Sequence, residues 1–170
     1  MSGRAVVVVG LMGAGKTSVA SRVARALGRR LYDSDEDLRE WYGRSAAEHV
    51  DEHGAHLLHT READQLRRAL AQDPPPVIAA AASVVDDPAN RAALAGPYVV
   101  WLDAPPPVLA ERMRSGDHRP HFGTDPENLL TRQRERRADR FAEVADLVID
   151  VSQVGPDQAA ATILSALDGD

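Results

Sequence analysis

Cysteine is absent from the 170 residues, which removes disulfide staples, thiol nucleophiles and cysteine-ligated zinc or iron–sulfur centres. Aromatic residues make up only 4%. Trp41, Tyr42, Trp101 and Phe141 are too scattered for a base-stacking platform and are expected as packing residues. No apolar run approaches the roughly 18 residues a membrane helix needs, and no charged-then-apolar leader precedes the first strand. A soluble, cytoplasmic protein with no membrane partner is expected. The net charge of −6 lacks the basic face that nucleic acid or an acidic membrane would require, which leaves a small molecule as the expected partner. Lysine is nearly missing as well: of 20 basic residues only Lys16 is lysine and the other nineteen are arginine.

That one lysine stands in Gly10-Leu11-Met12-Gly13-Ala14-Gly15-Lys16-Thr17, a complete match to the phosphate-binding pattern G-x-x-x-x-G-K-S/T. An ammonium is a compact point charge on a flexible stem, suited to following a moving phosphoryl group, whereas a guanidinium is a rigid fork. The context agrees with the pattern. Ala5 to Val9 is a β-branched run of the kind buried on both faces of a sheet. From Thr17 to Leu27, Val19, Ala20, Val23, Ala24 and Leu27 recur at helical spacing, with Gly28 placed as the C-terminal cap. Strand, loop and helix in that order turn backbone amides and a helix N-terminus toward an anion.

Further strands are expected at 30–32, 76–80, 98–102 and 147–151, alternating with helical segments near 38–52, 56–71, 104–114, 126–140 and 157–167. This alternation predicts a single α/β domain over 1–170, a three-layer sandwich around a five-stranded parallel sheet. Ligands of such sheets bind beyond the carboxyl ends of the strands. Asp33-Ser34-Asp35 falls there. These residues are good helix N-caps; beside a phosphate loop, Asp33 is also expected to hold magnesium together with the Thr17 hydroxyl. Asp35, one pleat further and facing the same way, would orient or deprotonate a substrate hydroxyl.

These residues resemble the shikimate kinases, small members of the nucleoside-monophosphate-kinase-like P-loop proteins. The resemblance spans most of the chain. It rests on the loop from Gly10 to Thr17, on Asp33-Ser34-Asp35, and on Gly43-Arg44-Ser45-Ala46-Ala47-Glu48 with His53-Gly54. Later it takes in Val99 to Ala104 with Arg112, Arg119-Pro120, and Arg137 ahead of Phe141-Ala142-Glu143-Val144-Ala145-Asp146. It implies ATP and Mg2+ as cofactors and transfer of the ATP γ-phosphate to a hydroxyl of shikimate or a related cyclic acceptor by a monomeric enzyme. Gly13, Ala14, Gly15, Lys16, Thr17 and Ser18 would hold the phosphates, Arg112 would stack on adenine, and Thr17 and Asp33 would serve the metal. Lys16, Asp35 and Arg119 would be catalytic. Substrate-binding helices are expected over about 36–72 and a lid over about 113–125. Arg119 lies in a glycine-bracketed stretch of little periodicity, and an arginine closing over the transferred phosphate would supply charge while excluding water. The other arginines of the cluster Arg132, Arg134, Arg136, Arg137 and Arg140 are read as a solvated helix face, with Arg137 alone singled out for the substrate.

Two departures concern the acceptor. Where the family carries phenylalanine-arginine and then glutamate three residues on, this chain has Leu58-His59 and Glu62, so a two-pronged carboxylate clamp becomes at most a single contact from His59. Arg61 sits about 200° around a helix from His59 and does not replace it. Where the family has a glycine triplet, this chain runs Ala79-Ala80-Ala81-Ala82-Ser83. Each added side chain brings bulk where glycine permits close approach or positive φ. Asp35, His59, Ala81, Ala82 and Arg137 are thus the expected acceptor contacts in an altered pocket. Two alternatives follow: a kinase for a carboxylate-free cyclitol or sugar derivative, and a nucleotide-binding pseudoenzyme. His49, His53, His56 and His59 recur near helical spacing, but no carboxylate or cysteine completes a tetrahedral set, so a metal face is not expected.

Overall fold

The computed structural model describes residues 3–115 and 125–170. Its centre is β1 (Val6–Val9), four valines with no exposed surface. Alternate side chains of a strand point to opposite faces, so complete burial of all four requires a covering layer on each side. Each such valine contributes about 1.5–3 kcal/mol of burial. The remaining strands are β2 (Leu31–Asp33), β3 (Val77–Ala79), β4 (Tyr98–Asp103) and β5 (Leu147–Asp150). All pairings are parallel, in the order β2-β3-β1-β4-β5. Because every strand runs the same way, all the loops after their carboxyl ends open on one edge of the sheet. The expected five-stranded parallel α/β architecture is the one observed.

The helices are α1 (Lys16–Leu27), α2 (Ser34–Tyr42), α3 (Ala46–His53), α4 (Ala55–Leu70), α5 (Pro88–Ala93), α6 (Pro106–Ser115), α7 (Pro126–Val144) and α8 (Pro156–Asp168). Gly28 closes α1 in the left-handed conformation, as its position suggested. The single segment expected over 38–52 is two helices. Gly43 ends α2 at φ 68°, and Ser45 starts α3 with a reciprocal capping box to Glu48. A 3-10 turn over Ala82–Asp86 and the short α5 were not expected. Asp86-Asp87-Pro88 carried the signal for α5: Asp87 caps the Ala89 amide, and Pro88 takes the first helical position.

Trp101 of β4 stacks on Phe141 of α7 with centroids 5.5 Å apart, and Arg61 and Arg68 lie over the rings of Tyr42 and Trp41. The aromatics are packing residues, as expected. Arg132 and Arg136 are exposed as expected, whereas Arg134 and Arg140 depart from the expected solvated face. Arg134 makes a two-pronged pair with Asp103 at the end of β4, and Arg137 and Arg140 both donate to Asp86. Three of the five therefore fix α7 to loops at the carboxyl edge. Among the described residues, no helix is long and apolar enough to cross a membrane.

Candidate active site

The phosphate loop leaves β1 with Gly10 at φ 151°, where a Cβ would lie 2.6 Å from the Leu102 carbonyl oxygen of β4. Gly13, at φ 82°, would put a Cβ 2.6 Å from the Leu109 carbonyl oxygen of α6. Neither distance admits a side chain, so these glycines allow the loop to nest between β4 and α6. Gly15 precedes α1 in the left-handed conformation and Ala14 is buried beneath the loop. The cradle thus leads straight into the N-terminus of α1, where Lys16, Thr17 and Ser18 form the first turn. The Ser18 hydroxyl accepts from Arg22 at 2.6 Å, leaving its backbone amide as the group available to a phosphate.

The Lys16 ammonium folds back on its own loop, donating to the Gly10 carbonyl at 2.7 Å and the Leu11 carbonyl at 3.3 Å. Burial lowers its pKa. The carboxylates of Asp35, Asp33 and Glu62 oppose that shift, and Arg137 adds to it. Lys16 therefore lies within electrostatic reach of residues on both the donor and the acceptor side.

Asp33 ends β2 and is buried. One of its oxygens accepts from the Thr17 hydroxyl and the other from the Glu36 amide at 3.2 Å. Helix capping and a place beside the phosphate loop, weighed as alternatives in the sequence, coexist in one carboxylate. The pair Thr17–Asp33 offers only hard oxygen donors next to a phosphate cradle, which fits magnesium bound through nucleotide phosphates. No group of three or more potential ligating side chains stands alone as a metal site among the described residues, so the histidines form no metal face. His49 instead is buried, donates to the Ser45 carbonyl at 2.8 Å and meets the Tyr42 ring edge-on.

Asp35 does not lie one pleat beyond Asp33. The strand stops at Asp33 because that residue caps α2, and Asp35 falls in the first helical turn with its side chain exposed. From there its charge still raises the pKa of both Lys16 and Glu62. On the opposite side of the loop, Arg112 of α6 donates to the Val151 carbonyl at 2.5 Å. It helps line a cavity of about 200 Å3 with Gly15, Val154 and Pro156. Arg112 thus shares a cavity with the last glycine of the phosphate loop. Of the lid expected over about 113–125, residues 113–115 belong to α6 and Asp125 caps α7 at the Asn128 amide, while 116–124 lie outside the described residues. Arg119 lies outside the described residues.

Further polar groups near Lys16 carry little signal of their own in the sequence. Glu62 of α4 is buried and accepts from the Ser83 hydroxyl at 2.9 Å. Burial pushes its carboxyl up to about 7, with Ser83, Lys16 and Arg137 limiting the rise and Asp35 adding to it. His59 is exposed, and its pKa is lowered, first by partial desolvation and then by Arg137. Arg137 is 5% exposed and grips Asp86 with Nε at 3.0 Å and Nη2 at 2.8 Å. Arg61 lies over Tyr42 at 3.8 Å, away from the His59 position as its helical angle indicated. The alanine stretch has no left-handed residue. Ala81 has φ −66°, and no non-glycine residue among those described has positive φ, so the alanines carry no backbone strain. Ser83 and Asp86 give no residue-type signal of their own, since only the turn brings them to Glu62 and Arg137.

The shikimate kinase family profile matches residues 12–168. The chain belongs to the shikimate kinase family. It is 33% identical over 168 residues to the shikimate kinase of Paramagnetospirillum magneticum, covering 98% of this chain and 84% of that one. It is 35% identical to the shikimate kinase of Symbiobacterium thermophilum, covering 95% of each. A shikimate kinase structure from Acinetobacter baumannii, in complex with shikimate, superposes with a TM-score of 0.90 at 27% identity, over 98% of this chain and 93% of that one. The protein is accordingly an ATP-dependent phosphotransferase with an alcohol group as acceptor, of a family that uses ATP with Mg2+.

Proposed function

We propose that this kinase transfers the γ-phosphate of ATP to a hydroxyl of shikimate or a related cyclic acceptor. The observation that carries the reading is the Thr17–Asp33 hydrogen bond, which ties the phosphate loop to the carboxylate that caps the helix bearing Asp35.

In this reading the acceptor hydroxyl is held by Asp35. Its oxygen forms a bond to the γ-phosphorus as the bond from that phosphorus to the β,γ-bridging oxygen breaks, releasing ADP, and the hydroxyl proton passes to Asp35. Lys16 exchanges its loop carbonyls for phosphate oxygens and neutralises charge as it spreads over the transferred group. The amides of Gly13 to Ser18 hold the phosphate chain, and Arg112 borders the base. Magnesium, held by Thr17 and Asp33 together with phosphate oxygens, would supply further charge neutralisation. Arg119 keeps the role the resemblance gives it, a cation brought to the transferred phosphate. His59, Ala81, Ala82 and Arg137 border the acceptor.

A coupled assay of ADP release with shikimate, its neutral derivatives, cyclitols and sugar acids tests this, with product mass identifying the phosphorylated ring. Turnover with at least one cyclic acceptor is expected, falling about 10^2 to 10^4-fold in Asp35→Asn. Nucleotide hydrolysis with no acceptor-dependent increase anywhere in the panel would reject it.

A further inference from the structure

The 3-10 turn Ala82–Asp86 begins where the glycine triplet of the family is replaced, and in such a turn residues i and i+3 eclipse on one face. Ser83 and Asp86 are such a pair. Ser83 takes Glu62, and Asp86 takes Arg137 through both Nε and Nη2. One face of one turn thus engages two polar groups that border the acceptor cleft.

An arginine recognises a carboxylate best through two parallel N–H donors. In Arg137 such an edge is already filled by Asp86, and the side chain is 6% exposed. His59, at the family's second arginine position, is held toward its neutral form by partial desolvation and by Arg137. Asp86 itself is charged, since the hydrogen bonds and charges of Arg137 and Arg140 outweigh the upward push of burial. An acceptor carboxylate directed at Arg137 would meet Asp86 there, with Asp35 and Glu62 close by. Arg140 and Arg136 are nearby cations, but Arg140 donates to the same Asp86 at 3.2 Å and Arg136 is exposed, where a charge contributes little.

We infer that the Ala82–Asp86 turn is a specificity element: Asp86 occupies Arg137, and the pocket takes a hydroxylated ring bearing no carboxylate in preference to its carboxylated counterpart. This rests on the kinase reading above and narrows its acceptor to an uncharged cyclic polyol. Asp86 acts by removing an attraction and placing a like charge, the repulsive half of specificity.

Shikimate and its carboxamide share ring and hydroxyls and differ in charge, so their kcat/KM ratio in the full-length enzyme tests the inference. The wild type should favour the carboxamide by about fivefold or more, and Asp86→Asn should raise kcat/KM for shikimate about tenfold, chiefly through KM. His59→Arg, which leaves the Asp86–Arg137 pair in place, should also improve shikimate relative to the carboxamide. It serves if Asp86→Asn does not fold, as judged by thermal unfolding and ATP binding. A wild type that prefers shikimate overturns the inference, as does failure of the folded Asp86→Asn variant, or of His59→Arg where Asp86→Asn does not fold, to improve shikimate; either makes Asp86 a positioning residue for Arg137, with the kinase reading intact. Absence of turnover with both acceptors and with the wider panel overturns both.

Discussion

Ser83 Oγ and Glu62 Oε1 stand 2.9 Å apart with both residues buried, joining a substrate-side helix to a turn that has dispensed with glycine. The contact keeps a carboxyl group in an interior that raises its pKa from 4.5 to about 7. The fold therefore binds a proton the unfolded chain releases between those values, and stability falls as pH rises through that window. Below about pH 4.5 the Glu62 penalty is absent, and above about pH 7 it reaches roughly 3 kcal/mol.

Glu62→Gln removes this titration. Urea unfolding from pH 4.5 to 8 should show the variant gaining on the wild type across pH 4.5–7 and holding a constant offset above it. Parallel pH profiles for the two proteins would mean that Glu62 does not titrate in that range.

Gly13 and Gly15 share a left-handed backbone but not surroundings. A Cβ at Gly13 meets the Leu109 carbonyl at 2.6 Å, whereas one at Gly15 meets nothing within 4 Å. Gly15→Ala should therefore cost about 1 kcal/mol of backbone strain. Gly13→Ala should cost clearly more and weaken nucleotide binding by displacing the loop. Chemical denaturation and ATP titration calorimetry measure both, and equal losses at the two positions would contradict the close approach to α6.

Asp33 combines a cap and a cleft carboxylate, and two substitutions separate them. Asparagine can still cap, so Asp33→Asn should stay near wild-type stability while losing magnesium-dependent ATP affinity. Asp33→Ala should lose that affinity and about 0.5–2 kcal/mol of stability besides. Equal stability in the two variants would show that the Glu36 amide bond contributes nothing.

Lys16→Met removes the ammonium and retains most of the stem. Turnover should fall about 10^2 to 10^3-fold, with the fold preserved by thermal unfolding, because the ammonium's hydrogen bonds go to carbonyls of its own loop. Unchanged turnover would remove Lys16 from the chemistry.

The donor half of the site was legible because its information is local. The glycines and Lys16 are consecutive, Asp33 ends a strand, and the strand–loop–helix order follows from the valines of β1 and the spacing of Val19, Val23 and Leu27. The acceptor half was legible only as departures from a pattern. His59 and the alanines were visible, but the partner of Arg137 was not, because Asp86 lies 51 residues away and reaches it through a 3-10 turn with no periodic signature. Asp35 shows the same limit on a smaller scale, since a strand continuing past Asp33 and a helix capped by it place the next carboxylate differently. Arg134 and Arg140 looked like solvent-facing charges because helical spacing says nothing of the loops beneath them.

The stack of Trp101 on Phe141 gives this protein a built-in optical probe. Only two indoles exist in the chain: Trp41 on α2, under Arg68, and Trp101, nearly buried against the helix that carries Arg137. In a Trp41→Phe background, the emission wavelength and lifetime of Trp101 would report displacement of α7 alone. Rearrangement around Arg137 when an acceptor enters the cleft can then be followed by stopped-flow fluorescence without an attached dye.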